Sequence, residues 1–263
     1  MNVLIIATLA LGLVVDQHWA IWGQVAVSAV VWLLFRQVWH RSDESRRLPL
    51  VACLVFATFG EMFLSLVWGL YQYRLGNIPM FVPPGHVLLF FLGTQVSERL
   101  PEGAEWWVTA IAGGVVGLFA WTGHDTMGPV LYAFFLACLW ISPSRRLYAT
   151  MFVLSLALEL YGTWVGNWVW AYEVPWTPLR QENPPLASGA FYCVLDLLVV
   201  SFATYSERRA RSSAAGEPRP EAEHRLAPLG DLQRPFVPAV AANDLEAERQ
   251  AFGAEARGDR HRG

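Results

Sequence analysis

Over the first 206 residues, apolar runs of 13 to 26 residues alternate with short polar breaks. A helix that crosses a bilayer needs about 20 mostly apolar residues. The pattern predicts spans at Val3–Val15, Trp19–Phe35, Leu48–Tyr73, Met80–Ser97, Trp106–Thr122, Met127–Ile141, Leu147–Tyr172 and Gly189–Tyr205. Val3–Val15 and Met127–Ile141 are short, so seven spans or a re-entrant hairpin stay open. The expected fold class is all-α: a polytopic membrane protein of about eight transmembrane helices. The opening MNVLIIATLALGLVV has neither a basic n-region nor an A-x-A cleavage site, so it reads as a retained helix.

From residue 207 the pattern stops. Residues 207–263 are rich in Ala, Arg, Glu, Pro and Gly, with few aromatics, and such a stretch buries too little apolar surface to offset its ordering entropy. The reading is a transmembrane domain over 1–206 and a disordered cytoplasmic tail over 207–263.

Charge sets the orientation. Arg36, Arg41, Arg46 and Arg47 flank one break, Arg145 and Arg146 another, and Arg208, Arg209 and Arg211 follow the last span. With eight spans these clusters share one side, which the positive-inside rule makes cytoplasmic. Both termini then lie inside a bacterial inner membrane. Trp19, Trp22, Trp121, Trp168, Trp170 and Trp176 gather toward the opposite ends, like an aromatic belt.

Composition agrees. The chain is 54% hydrophobic and 16% charged, against about 25% charged in soluble domains. Cys53, Cys138 and Cys193 lie in apolar runs without a C-x-x-C pair, so they read as small buried hydrophobes. There is no P-loop, GxGxxG, GxSxG or basic patch with interleaved aromatics, and nucleic acid is not an expected partner. The expected partners are the bilayer and a lipidic small molecule; oligomeric state is not legible.

At an offset of about 99 residues the chain resembles itself. Arg46-Arg47 falls on Arg145-Arg146, Glu61 within one residue of Glu159, Tyr73 on Tyr172, and Pro83-Pro84 near Pro184-Pro185. Self-similarity at a fixed period signals duplication. The expected units are four-helix repeats over about 1–98 and 105–206, inserted in the same direction and related by an axis along the membrane normal.

Glu61 is the one charged residue in the 26 from Leu48 to Tyr73. If Tyr73 marks the interface, Glu61 lies roughly 18 Å deeper on a helix. Thr58, Ser65, Trp68 and Gln72 would share its face; Ser155, Thr163 and Trp170 would share that of Glu159, with Gly162 and Gly166 leaving room. Asp196 is a third intramembrane acid, one turn after Tyr192. Carboxylates at such depth are expensive unless protonated or paired, and they mark functional sites by default. No Arg lies inside a span to pair them, which favours shared protons.

The candidate catalytic residues are Glu61, Glu159 and Asp196. The candidate substrate-binding residues are Ser65, Trp68, Tyr71, Thr163, Asn167, Trp170 and His86. The Pro-rich loops after each Glu exclude a continuous helix and read as lids, broken-helix entrances or plain turns. His18, His86 and His124, with Asp16 and Asp125, have metal-ligand chemistry. No HxxxH, HxxHH or HExxH box is present, so neither metal nor cofactor is expected.

The stretch ELYGTWVGNWVWAY at Glu159–Tyr172, and more loosely EMFLSLVWGLYQY at Glu61–Tyr73, resembles a motif of bacterial carotenoid-biosynthesis membrane proteins of the hydratase and membrane-cyclase type. That resemblance implies protonation of an isoprenoid double bond by a carboxylic acid, with water or an internal alkene trapping the cation. Glu61 and Glu159 would be the acids, and Trp and Tyr rings would stabilise positive charge. Two other functions fit the residues: a small proton-coupled transporter, and a non-catalytic membrane component with structural acids.

Overall fold

The computed structural model describes residues 1–215. Among them are seven helices: α1 (Asn2–Arg41), α2 (Glu44–Glu61), α3 (Val82–Ser97), α4 (Ala104–Trp121), α5 (Gly128–Ile141), α6 (Arg145–Val165) and α7 (Gly189–Ala215). A π-helical segment, Met62–Trp68, extends α2, and two short strands follow the acid-bearing helices: β1 (Tyr71–Tyr73) and β2 (Trp168–Trp170). Residues 207–215 continue α7; from residue 216 on, the expected tail lies outside the described residues.

α1 is two antiparallel arms. Trp19 and Ala20 leave helical geometry, with φ 46° and ψ −130° at Ala20. Gly12 lies against Val27, and Gly23 against the Val15 carbonyl and Asp16. Contacts between residues on either side of the break show that the chain doubles back there. A Cβ on Gly23 would sit 2.4 Å from the Val15 carbonyl oxygen, so the close approach demands glycine. The arms hold the first two apolar runs, and the turn falls just after the Asp16–His18 expected for it.

Five helical stretches are long and apolar enough to cross a membrane: Asn2–Arg41, Glu44–Trp68, Ala104–Trp121, Arg145–Val165 and Gly189–Arg209. Trp107, Trp121, Trp140 and Trp164 are 74%, 90%, 87% and 81% exposed. An apolar surface of this kind suits lipid and not water.

α2, α3, α6 and α7 form the centre, each touching two of the others. The α1 arms pack on α3 and α6, while α4 and α5 pack on α6 and α7. Both acid-bearing helices therefore run through the middle of the bundle.

The chain is mostly helical, as expected, but neither Leu48–Tyr73 nor Leu147–Tyr172 is one continuous helix. The π segment stops at Gly69 and α6 at Gly166, both left-handed at φ 76° and 92°, a conformation open to glycine at little strain. Each chain then extends and the strands pair antiparallel, Tyr71 with Trp170 and Tyr73 with Trp168. The Ala171 N–H to the Leu70 carbonyl at 2.8 Å and the Arg74 N–H to the Asn167 carbonyl at 2.9 Å lengthen the ladder at both ends. The Asn183 side-chain oxygen accepts from the Trp170 N–H at 2.9 Å, and the Gln181 amide donates to the Leu70 and Ala171 carbonyls. Pairing of this kind permits non-helical backbone at a membrane protein's core.

Candidate functional site

Two residues apart on a strand, side chains point the same way. Tyr71 and Tyr73 therefore face inward together, as do Trp168 and Trp170, while Gln72 and Val169 face out. The Tyr71 and Tyr73 hydroxyls donate to Glu61 Oε2 at 2.7 and 2.6 Å. The Trp168 and Trp170 indoles donate to Glu159 Oε2 at 2.8 and 3.1 Å. The remaining oxygens are met from the next helices: His86 Nε2 of α3 lies 2.8 Å from Glu61 Oε1, and the Tyr192 hydroxyl of α7 donates to Glu159 Oε1 at 2.9 Å. His86 and Tyr192 stack, 4.7 Å between ring centres and 22° apart.

Each carboxylate thus has two partners from its own strand and one from the following helix. The halves differ by one residue. Gly69 is eight residues beyond Glu61, and Gly166 seven beyond Glu159. The π segment takes up the extra residue: its closing bond runs from the Leu70 N–H to the Leu64 carbonyl, against Asn167 to Gly162 in the second half. A π turn is one residue wider than an α turn and occurs often at functional sites.

Glu61 and Glu159 line one cavity of about 50 Å³. Tyr71, Tyr73, His86, Trp168 and Tyr192 contribute to its walls, and the rest is mostly aliphatic, from α1, α3 and α6. His86 Nδ1 is buried without a hydrogen-bond partner.

Of the residues proposed from sequence, Glu61, Glu159, Tyr71, Trp170 and His86 come together here. Asn167 supports them from outside, its amide donating to Asp16 Oδ2 at 2.6 Å and to the Leu13 carbonyl at 3.0 Å. Arg74 donates to the Asp16 carbonyl at 2.6 Å, so the α1 turn is clipped to the strand pair. Asp125 fastens the α4–α5 turn, accepting from the Gly128 and Leu186 N–H groups at 2.7 and 3.2 Å.

The helical-face reading fails for the others, because the chain leaves the helix before Tyr73 and folds back toward Glu61. Ser65 sits mid-way along the π segment and supplies none of the Glu61 bonds. The Trp68 indole donates to the Pro175 carbonyl at 3.0 Å, and its ring stacks on Trp176. Thr163 donates to the backbone carbonyl of Glu159 at 2.8 Å, not to its carboxylate. Pro83 and Pro84 lie in the first turn of α3, where a missing N–H is harmless, so His86 stands on a helix and not on a lid.

Asp196 is absent from the cavity wall. It is fully buried, and neither of its oxygens nor the Tyr148 hydroxyl has a hydrogen-bond partner. Cys53, Cys138 and Cys193 all lie within its electrostatic reach. No group of three or more His, Cys, Asp or Glu among the described residues is placed to hold a metal ion.

Sequence reasoning missed Tyr73, Trp168 and Tyr192 as partners of the acids. The signal was the alternation YQY and WVW directly after a helix-ending Gly. The chain matches no family model, no curated protein and no solved structure.

Proposed function

We propose that the protein is an intramembrane enzyme that protonates a carbon–carbon double bond of an isoprenoid-type lipid. The observation that carries this reading is the meeting of Glu61 and Glu159, 98 residues apart, in one largely apolar cavity bordered by Tyr and Trp rings. The proton on the 2.8 Å His86–Glu61 bond is the transferable one. It passes from Glu61 to the alkene, whose π electrons form the new C–H bond and leave a carbocation. Aromatic faces and the Glu159 carboxylate stabilise that cation. Water or a second alkene closes the sequence, and the proton released then returns to the Glu61–His86 pair. No oxidant or reductant is required.

The expected pairing of the acids through shared protons takes a more specific form: an imidazole partner for Glu61 and aromatic donors alone for Glu159. The same arrangement supports the wider reading of eight spans, counted with the α1 arms, α3 and α5. It also supports duplication of a four-helix unit, for strands and third donors correspond under a two-fold axis through the strand pair. Both termini would lie at the cytoplasmic side of a bacterial inner membrane, by the Arg clusters. A structural role for the acids draws on a different observation, that every carboxylate oxygen of the pair already has a partner.

Lipid extracts of a deletion strain complemented with wild type, Glu61→Gln or Glu159→Gln separate these readings by mass. The enzyme reading expects a lipid that changes in the deletion strain, is restored by wild type and is not restored by Glu61→Gln. An unchanged lipid profile in the deletion strain removes it.

A further inference from the structure

Buried helical glycines usually exist because something presses against them. Here a Cβ on Gly93 would sit 2.1 Å from Met151 Sδ, one on Gly162 2.1 Å from the Trp168 ring, and one on Gly189 2.3 Å from the Phe152 carbonyl oxygen. Gly12 and Gly23 are pressed by the opposite arm of α1. Gly85 is different. It is buried in the first turn of α3, yet a Cβ there meets only Leu9 Cδ2, at an ordinary 3.9 Å. Its φ is not in the left-handed range, and alanine would favour the helix. Neither packing nor backbone explains the glycine.

What Gly85 borders is the cavity. Next to His86, it faces a wall built from Leu9, Gly12, Val27 and Val31 of the two α1 arms. A space lined this way repels water but accepts hydrocarbon. We infer that this aliphatic part of the cavity, between α1 and α3, is the seat of the substrate's hydrocarbon chain, and that the missing side chain at Gly85 sets its bore. The inference rests on the proposed lipid chemistry for its substrate class. Gly85 is then a specificity-determining residue: it admits a narrow chain and places it beside the Glu61–His86 pair. At Gly162, by contrast, the Trp168 ring fills the space that a side chain would take.

The test uses the full-length protein in lipid nanodiscs and geranylgeraniol carrying a photoreactive diazirine. Irradiation followed by peptide mapping should place the label on the α1 arms and on α3 around Gly85. Gly85→Leu should lower that labelling about tenfold or more, the scale on which a pocket discriminates added methylenes. Gly85→Ala, which the protein accommodates without a clash, should lower it by a smaller factor with no fall in melting temperature. Labelling that is equal in wild type, Gly85→Ala and Gly85→Leu, or that is confined to lipid-facing surfaces, overturns the inference. If the label maps as expected while the deletion strain shows no lipid change, the seat stands and the enzyme reading falls. If Glu61→Gln abolishes a lipid product while wild type takes no label at the seat, the enzyme reading stands and the seat falls.

Discussion

Glu61 and Glu159 occupy matching positions with unequal surroundings. Each has two aromatic donors from a strand and a third from the next helix, but only Glu61 has a partner that exchanges a proton readily. An imidazole has two ring nitrogens and can take up a proton at one while giving one up at the other, whereas indole is a donor only. Glu61 is also preceded by Gly60, against which no atom packs within 4 Å, while the Glu159 helix is sealed by Trp168 over Gly162. Similar frames around two acids thus differ in chemistry: an imidazole completes the shell of Glu61, and aromatic donors alone surround Glu159.

The largest expected effect tests that division. Glu61→Gln should reduce formation of the lipid product by up to about 10⁴, the upper end for loss of a general acid, and Glu159→Gln by about a hundredfold, as for loss of an electrostatic stabiliser. Equal losses in quantitative lipid analysis would erase the difference in roles.

Next comes the pair of third donors. His86→Gln keeps a donor near Glu61 Oε1 but cannot relay a proton, so activity should fall by about a hundredfold. Tyr192→Phe removes one hydrogen bond and should stay within about tenfold of wild type, matching about 1 kcal/mol. A loss in His86→Gln no larger than that in Tyr192→Phe would contradict the proton-carrying role.

Stability should show the opposite ranking. Glu159→Leu strands the buried donors of Trp168, Trp170 and Tyr192, and should lower unfolding free energy by about 3 kcal/mol, while Trp170→Phe should cost about 1 kcal/mol. Denaturant unfolding in detergent micelles measures both. Comparable losses would mean that Trp170 matters for packing more than for the carboxylate.

A subtler perturbation addresses the one-residue difference. Deleting Leu66, exposed in the π segment, gives the first half the spacing already present in the second. The strand pair should survive with a stability change of roughly 1 kcal/mol or less, the scale of benign surface changes. Deleting a residue between Glu159 and Gly166 should instead rotate β2 and break both indole bonds. Tryptophan fluorescence and thermal melting distinguish the two, and equal damage would rule out the π segment as the absorber of the extra residue.

The smallest effect concerns the turn clips. Burial raises the Asp125 carboxyl above its ordinary 3.8, opposed by the Gly128 and Leu186 N–H groups. A raised native value means that the fold holds the proton more tightly than the unfolded chain does. That stabilisation is present at low pH and is lost as pH rises through the raised value. Asp125→Asn should remove this component of the melting-temperature profile; an identical profile would assign it elsewhere.

The apolar runs and the two buried acids were readable directly, because lipid-compatible length and a lone carboxylate are strong one-dimensional signals. The partners of the acids were not. A continuous helix from Leu48 to Tyr73 would carry Tyr73 away from Glu61, whereas Gly69 ends the helix and the strand brings Tyr73 back. The offset aligned Tyr73 with Tyr172, whereas the strand pair sets Tyr73 opposite Trp168. Hydropathy does not register the single residue held in a π turn. Asp196 was grouped with the glutamates by depth alone; it lies one turn, about 6 Å, past Tyr192, among the cysteines and Tyr148 instead.

The most direct measurement follows the proton. Membranes containing the active protein and its lipid substrate, incubated in D₂O, should yield a product with deuterium bound to carbon at the former double bond, and membranes carrying Glu61→Gln should yield none. Product formed by the wild-type protein without carbon-bound deuterium would contradict protonation of an alkene at Glu61.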